Sequence, residues 1–141
     1  LVATIIRIAS TRSDVPDQLK AAMIETTGIG GLFFRAQDPT ALAEWYQTHL
    51  GVASDFSWTQ QAGATVFAPF PESTDYFPSD RRWMINFRVV SMDAALEHLT
   101  SNAITFETRA EWDNIGMGRF ARLYDPEGNP IELWEPPAED E

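Results

Sequence analysis

Apolar residues recur along this chain with two periods, and the two alternate in a fixed order. Residues 29–36, rich in Ile, Leu and Phe, read as a strand. Asp38 then offers an N-cap with Pro39 at the first helical position. Leu42, Trp45, Tyr46 and Leu50 follow at helical spacing until Gly51 stops the turn. Short strands are predicted over 52–58 and 64–70. The same order begins again with a strand over 84–90. Ser91 caps a helix carrying Ala95, Leu96 and Leu99 on one face and ending near Asn102. Strands over 104–108 and 118–124 come next. The turn residues Asp125-Pro126-Glu127-Gly128-Asn129 then lead into a last strand over 130–135.

An offset of 53 residues lays Phe34-Arg35 on Phe87-Arg88, Asp38 on Ser91, and one helix on the other. With the order of elements repeating as well, the pattern is that of a duplicated supersecondary unit. The expected layout is an arm over 1–22, a domain over 23–136 built of modules at about 28–80 and 81–136, and an acidic tail over 137–141. Met23 is read as the functional start.

Alternation sorts the strand positions by face. Leu32 and Phe34, then Ile85, Phe87 and Val89, then Ile131 and Leu133 form wholly apolar faces suited to a covering helix. The opposite faces read Gly31, Phe33, Arg35; Met84, Asn86, Arg88; and Glu132, Trp134. Aromatic bulk with a few polar groups is the composition of a small-molecule pocket. Arg35 and Arg88 could clamp an anionic oxygen through their planar donors. Glu132 could serve as a general base. If the hairpin is centred on Glu127, however, Arg122 faces Glu132 directly and the two form a cross-strand ion pair. Residues 69–78 are either a strap across the surface or a lid over the pocket, and 111–118, with Trp112 and two glycines, are the other lid candidate. Trp45 and Tyr46 are read as packing.

Composition narrows the chemistry. Across 141 residues the net charge is −11, and −12 without residues 1–22, so nucleic acid and anionic membranes are repelled. With no cysteine, thiolate nucleophiles, disulfides and cysteine metal sites are excluded. The two histidines, His49 and His98, fall on the helices, away from the pocket face, and are read as exposed or cap-region residues. The apolar run at residues 1–9 is shorter than the roughly 18–20 residues of a membrane span. It also lacks the features of a secretion signal, and a cytoplasmic protein is expected. The glycines at 28, 30 and 31 precede a strand rather than a helix, which removes a nucleotide-binding reading.

The run Gly30-Gly31-Leu32-Phe33-Phe34-Arg35-Ala36-Gln37-Asp38-Pro39, with Trp45-Tyr46, Leu50-Gly51 and Asp125-Pro126-Glu127-Gly128-Asn129-Pro130-Ile131-Glu132-Leu133, resembles the vicinal oxygen chelate superfamily. That group contains glyoxalase I, bleomycin-resistance proteins, fosfomycin-resistance enzymes and extradiol dioxygenases. The resemblance implies an α+β fold of two βαβββ modules forming a half-open, glyoxalase-like cup, usually in a homodimer. It also implies four metal-ligand positions, three of which fall on Gly31, Met84 and Glu132. The fourth lies in 64–70, which has no donor side chain. One carboxylate cannot assemble a divalent metal site, so no metal and no cofactor are expected.

The leading expectation is a protein that binds a small organic molecule in the cup without metal, through Phe33, Arg35, Asn86, Arg88 and Trp134. The alternatives are a lyase or isomerase with Glu132 as base, with a metal-dependent glyoxalase or dioxygenase placed lower, and a non-catalytic interaction domain.

Overall fold

The computed structural model describes residues 16–17, 24–55, 57–113 and 116–139. The arm expected over 1–22 lies outside these apart from Pro16 and Asp17, as do Met23 and the last two residues of the tail. The chain divides into two units. One comprises Leu1–Arg35 with Ala62–Pro69, and the other Ala36–Gln61 with Phe70–Glu141.

The second unit carries the regular structure. Helix α1 spans Pro39–Leu50. The Asp38 carboxylate accepts from the Ala41 amide at 3.1 Å, and Pro39 fills the first turn, where no amide is needed. Gly51 ends the helix in the left-handed region (φ 66°), with its amide donating to the Gln47 carbonyl. Strand β1, Ile85–Arg88, leads to helix α2, Met92–Ser101, capped by the Ser91 hydroxyl on the Ala94 amide. The short strand β2, Phe106–Glu107, and the single-turn helix α3, Ala110–Asp113, precede the hairpin of β3, Arg119–Tyr124, and β4, Pro130–Glu135.

The four strands form one sheet in the order β1-β4-β3-β2, with β1 parallel to β4 and the other pairs antiparallel. This is the β-α-β-β-β order expected of the second module, with α3 inserted between β2 and β3. Both helices cover one face. Leu42 and Tyr46 of α1, and Met92 and Leu99 of α2, pack on Ala121, Leu123, Ile131 and Leu133, with Ile85, Phe87 and Val89 beside them. The apolar faces read from alternation in β1 and β4 are thus the helix-covered ones. The Glu135 carboxylate, at the end of β4, accepts from the Met92 amide at 2.8 Å and fastens the start of α2.

The first module departs from expectation. Its helix forms, but among the described residues no strand forms over 29–36, 52–58 or 64–70. A strand exists only through a partner ladder, and breakers lie in or beside two of these segments: Gly28, Gly30 and Gly31 at the first, Gly63 and Pro69 at the last. Residues 52–54 are held instead by the end of α1. The Val52 amide donates to the Tyr46 carbonyl, and the Ser54 hydroxyl to the Gln47 side chain. In the first unit the Phe33 ring folds over Gly31, so close that a Cβ there would stand 3.0 Å from it. Leu32 and Phe34, expected on a covered face, are exposed.

Candidate functional site

The sheet face away from the helices is built from alternate positions: Asn86 and Arg88 on β1, Glu132 and Trp134 on β4, Phe120 and Arg122 on β3, and Glu107 on β2. Register places Asn86 beside Glu132 on one side and Arg122 on the other. The direct Arg122 and Glu132 opposition anticipated from the turn is the one found.

Glu132 is 4% exposed and is the centre of this face. Its Oε1 accepts from the Asn86 amide nitrogen at 2.9 Å, and its Oε2 from the Tyr76 hydroxyl at 2.6 Å. The Arg122 guanidinium stands 3.8 Å from Oε2, within ion-pair range but beyond hydrogen-bonding distance. Arg122 donates its Nη1 to the Tyr76 carbonyl, while its buried Nε and Nη2 have no hydrogen-bond partner among the described residues. Its charge is cushioned by aromatic faces, 4.3 Å from the Tyr76 ring centroid and 5.2 Å from that of Trp112. Burial, then the charge and hydrogen bond of Glu132, push the Tyr76 hydroxyl well above the ordinary tyrosine range, with Arg122 partly opposing.

Both segments left open as straps or lids are fastened to this face. Within 70–78, Tyr76 is tied to Glu132 and Arg122, and Phe70 packs on Tyr76 and Phe77. Within 111–118, Trp112 lies over Arg122, Asp113 accepts from the Phe120 amide at 3.2 Å, and the Met117 carbonyl accepts from the Trp134 indole at 2.7 Å. Gly118 (φ 99°) is required here, because a Cβ would stand 2.0 Å from the Glu135 carbonyl oxygen.

Of the residues read from sequence as a site, Asn86 and Glu132 are in direct contact. Trp134 shares their face, stacked on Phe120 at 6.3 Å, and is only 8% exposed. Arg88 donates to the Gln61 carbonyl at 2.8 Å. Phe33 and Arg35 belong to the first unit and are exposed there. Sequence reasoning named Tyr76 only within the strap-or-lid segment, Trp112 only within a lid candidate and among the tryptophans that could wall the cup, and Arg122 only as an ion-pair partner. His49 and His98 occupy the last turns of α1 and α2, but they are half-buried rather than exposed, with Nδ1 of one 3.1 Å from Nε2 of the other.

The glycine-containing turn has a different function. Asp125 is also 4% exposed. Its Oδ1 accepts from the Glu127 and Asn129 amides at 2.9 and 3.0 Å, and its Oδ2 from the Asn129 side chain and the Tyr46 hydroxyl, both at 2.7 Å. Glu127 reaches the start of α1 and accepts from the Gln37 and Asp38 amides. Gly128 (φ 78°) lets the turn close under Arg81, which donates to the Glu127 carbonyl. Burial and the bond to Asp125 hold the Tyr46 proton far above its usual range.

A divalent metal fits this donor set poorly. The positions implied by the resemblance hold glycine, methionine and Glu132, and both oxygens of Glu132 already accept hydrogen bonds beside a guanidinium. Among the described residues no group of three acidic or histidine side chains is placed to hold an ion. No helix among them is long and apolar enough to cross a membrane.

Comparison with known proteins bears on the whole arrangement. A family model described as a glyoxalase-like domain matches residues 31–134. No curated protein matches the sequence. Among solved structures, TnmS3, an antibiotic binding protein from Streptomyces sp. CB03234, aligns with a TM-score of 0.46 at 22% identity, covering 72% of this chain and 88% of that one.

Proposed function

The chain belongs to the glyoxalase-like domain family of the vicinal oxygen chelate superfamily, and from that footing we propose that it binds a small organic molecule on the Glu132 face without a divalent metal. One observation carries the reading. Glu132, the sole carboxylate left at the family's ligand positions, is engaged by Tyr76, Asn86 and Arg122. A carboxylate so partnered offers a metal little, while the rings of Tyr76, Trp112, Phe120 and Trp134 around it suit a flat organic ligand. In this reading Asn86, Arg88 and Trp134 contact the ligand. Residues 23–136 form the binding domain, and a homodimer is its working form. The net charge of −11 favours approach of a cation.

Catalysis by Glu132 as a general base is the second reading. It requires the carboxylate to exchange Tyr76 or Asn86 for a substrate proton, and the short Tyr76 bond weighs against it.

The test uses the aromatic cation 9-aminoacridine with the full chain in EDTA. Saturable quenching of tryptophan fluorescence, weakened about fivefold or more in Trp134→Ala and Asn86→Ala, is expected. Quenching that appears only after a divalent metal is added, or that both variants leave unchanged, overturns the proposal.

A further inference from the structure

The opposite side of the sheet holds a cavity that the Glu132 face does not explain. It has a volume of about 110 Å³ and lies where the C-terminal end of α1 meets α2 and the sheet. Leu50, Phe87, Leu99 and Leu133 give it apolar walls, and Trp58, His49 and Arg88 line it as well. All of these residues belong to the second unit. The cavity exists because position 95, facing it from α2, carries only a methyl group. Protein interiors seldom leave a void larger than a water molecule.

The walls also specify what would fill it. A space of roughly 150 Å³ with apolar walls is enough to admit benzene. A space of about 110 Å³ therefore takes a single ring and excludes a fused one. Two of its walls are aromatic, with Trp58 and Phe87 centroids 6.2 Å apart and tilted by 54°. That geometry allows a third ring to meet one of them edge to face. Trp58 is 42% exposed and stands outside the core cluster, so it can move without unpacking the sheet. The polar members are Arg88, whose guanidinium donates to the Gln61 carbonyl, and His49. One of the His49 ring nitrogens is engaged by His98, and the other has no partner among the described residues. A ligand bearing one hydroxyl would meet it there.

We propose that this cavity is a second binding site, on the helix-covered side of the sheet, for a single-ring aromatic molecule of the phenol class. Its walls of Phe87 and Leu133 point away from the side on which Asn86 and Glu132 lie, and Arg88, at the end of β1, is the one lining residue it shares with the Glu132 face.

Phenol and toluene, titrated into the full chain and followed by the leucine methyl signals in carbon-proton NMR spectra, provide the test. Phenol should shift the Leu50, Leu99 and Leu133 methyls saturably and bind more tightly than toluene, a preference that His49→Ala should remove. Ala95→Met, which fills the void with a flexible side chain, should weaken phenol binding about tenfold or more while leaving 9-aminoacridine quenching unchanged. If Ala95→Met does not give a folded spectrum, Trp58→Ala provides the same test by removing a wall. The absence of a saturable shift overturns the proposal. So does binding that survives Ala95→Met or, where that variant is unfolded, Trp58→Ala, or a shift confined to the Phe120 and Trp134 signals. None of these outcomes bears on the 9-aminoacridine result, so the two sites succeed or fail separately.

Discussion

Asp125 and Glu132 are equally buried, seven residues apart on one hairpin, and their surroundings are built on opposite plans. Asp125 draws three of its four donors from its own turn and the fourth from Tyr46 of α1. Every lone pair it can use is taken at 2.7–3.0 Å. Glu132 draws its partners from three separate stretches, at residues 76, 86 and 122, and the charged one stays at 3.8 Å with two guanidinium nitrogens unsatisfied. A closed set of local donors makes a joint. An open set gathered from distant segments makes a place where a ligand can be exchanged for a protein group.

The comparison can be broken most severely at the joint. Asp125→Ala removes the acceptor for two amides, one carboxamide and one buried hydroxyl, and should cost about 4 kcal/mol, read as a lowered urea midpoint. At Glu132 the loss is smaller and recoverable. Glu132→Gln leaves the Arg122 charge without its counterion and should cost about 2–3 kcal/mol. Adding Arg122→Met should restore at least half of that, because the desolvated charge is then gone as well. Equal costs for the single and double variants would mean that the 3.8 Å pair does not couple them.

The smallest effect concerns the two buried tyrosines, one at each carboxylate. Both keep their protons above the ordinary range in the folded state, so the unfolded chain loses protons first as pH rises. Their contribution to stability is complete below about pH 10 and falls above it. Urea denaturation at about pH 9 and about pH 11 should show that decline. Tyr46→Phe and Tyr76→Phe should each flatten it by a similar amount, since both hydroxyls keep their protons in the folded state across that range and only the unfolded chain ionises.

What the chain discloses by itself follows the range of the interactions involved. The two helices are legible almost to the residue, because Asp38, Pro39, Gly51 and Ser91 act on amides and carbonyls within one turn. The Arg122 and Glu132 opposition is equally legible, since the five-residue turn fixes the register of β3 on β4. Tyr76 is not. It reaches Glu132 across 56 residues from a segment without periodic pattern, and only the fold brings it there. The histidine pair, 49 residues apart, is hidden for the same reason. The first-module strands were expected from local apolar content, but a ladder needs a partner that local content cannot supply. The most recognisable motif, the turn at 125–129, carries structure, while the binding chemistry proposed here rests on residues with no motif of their own.

The tie between Glu127 and the first amides of α1 has a consequence for how the molecule is made. The acceptor for the Gln37 amide lies 90 residues further along the chain. While the chain is being synthesised, α1 has its own Asp38 cap but neither Glu127 nor Asp125 to dock against, so its apolar stripe stays unsheltered until the last strands emerge. The hairpin that completes the sheet is also the latch for α1, and folding of the second unit waits on β3 and β4.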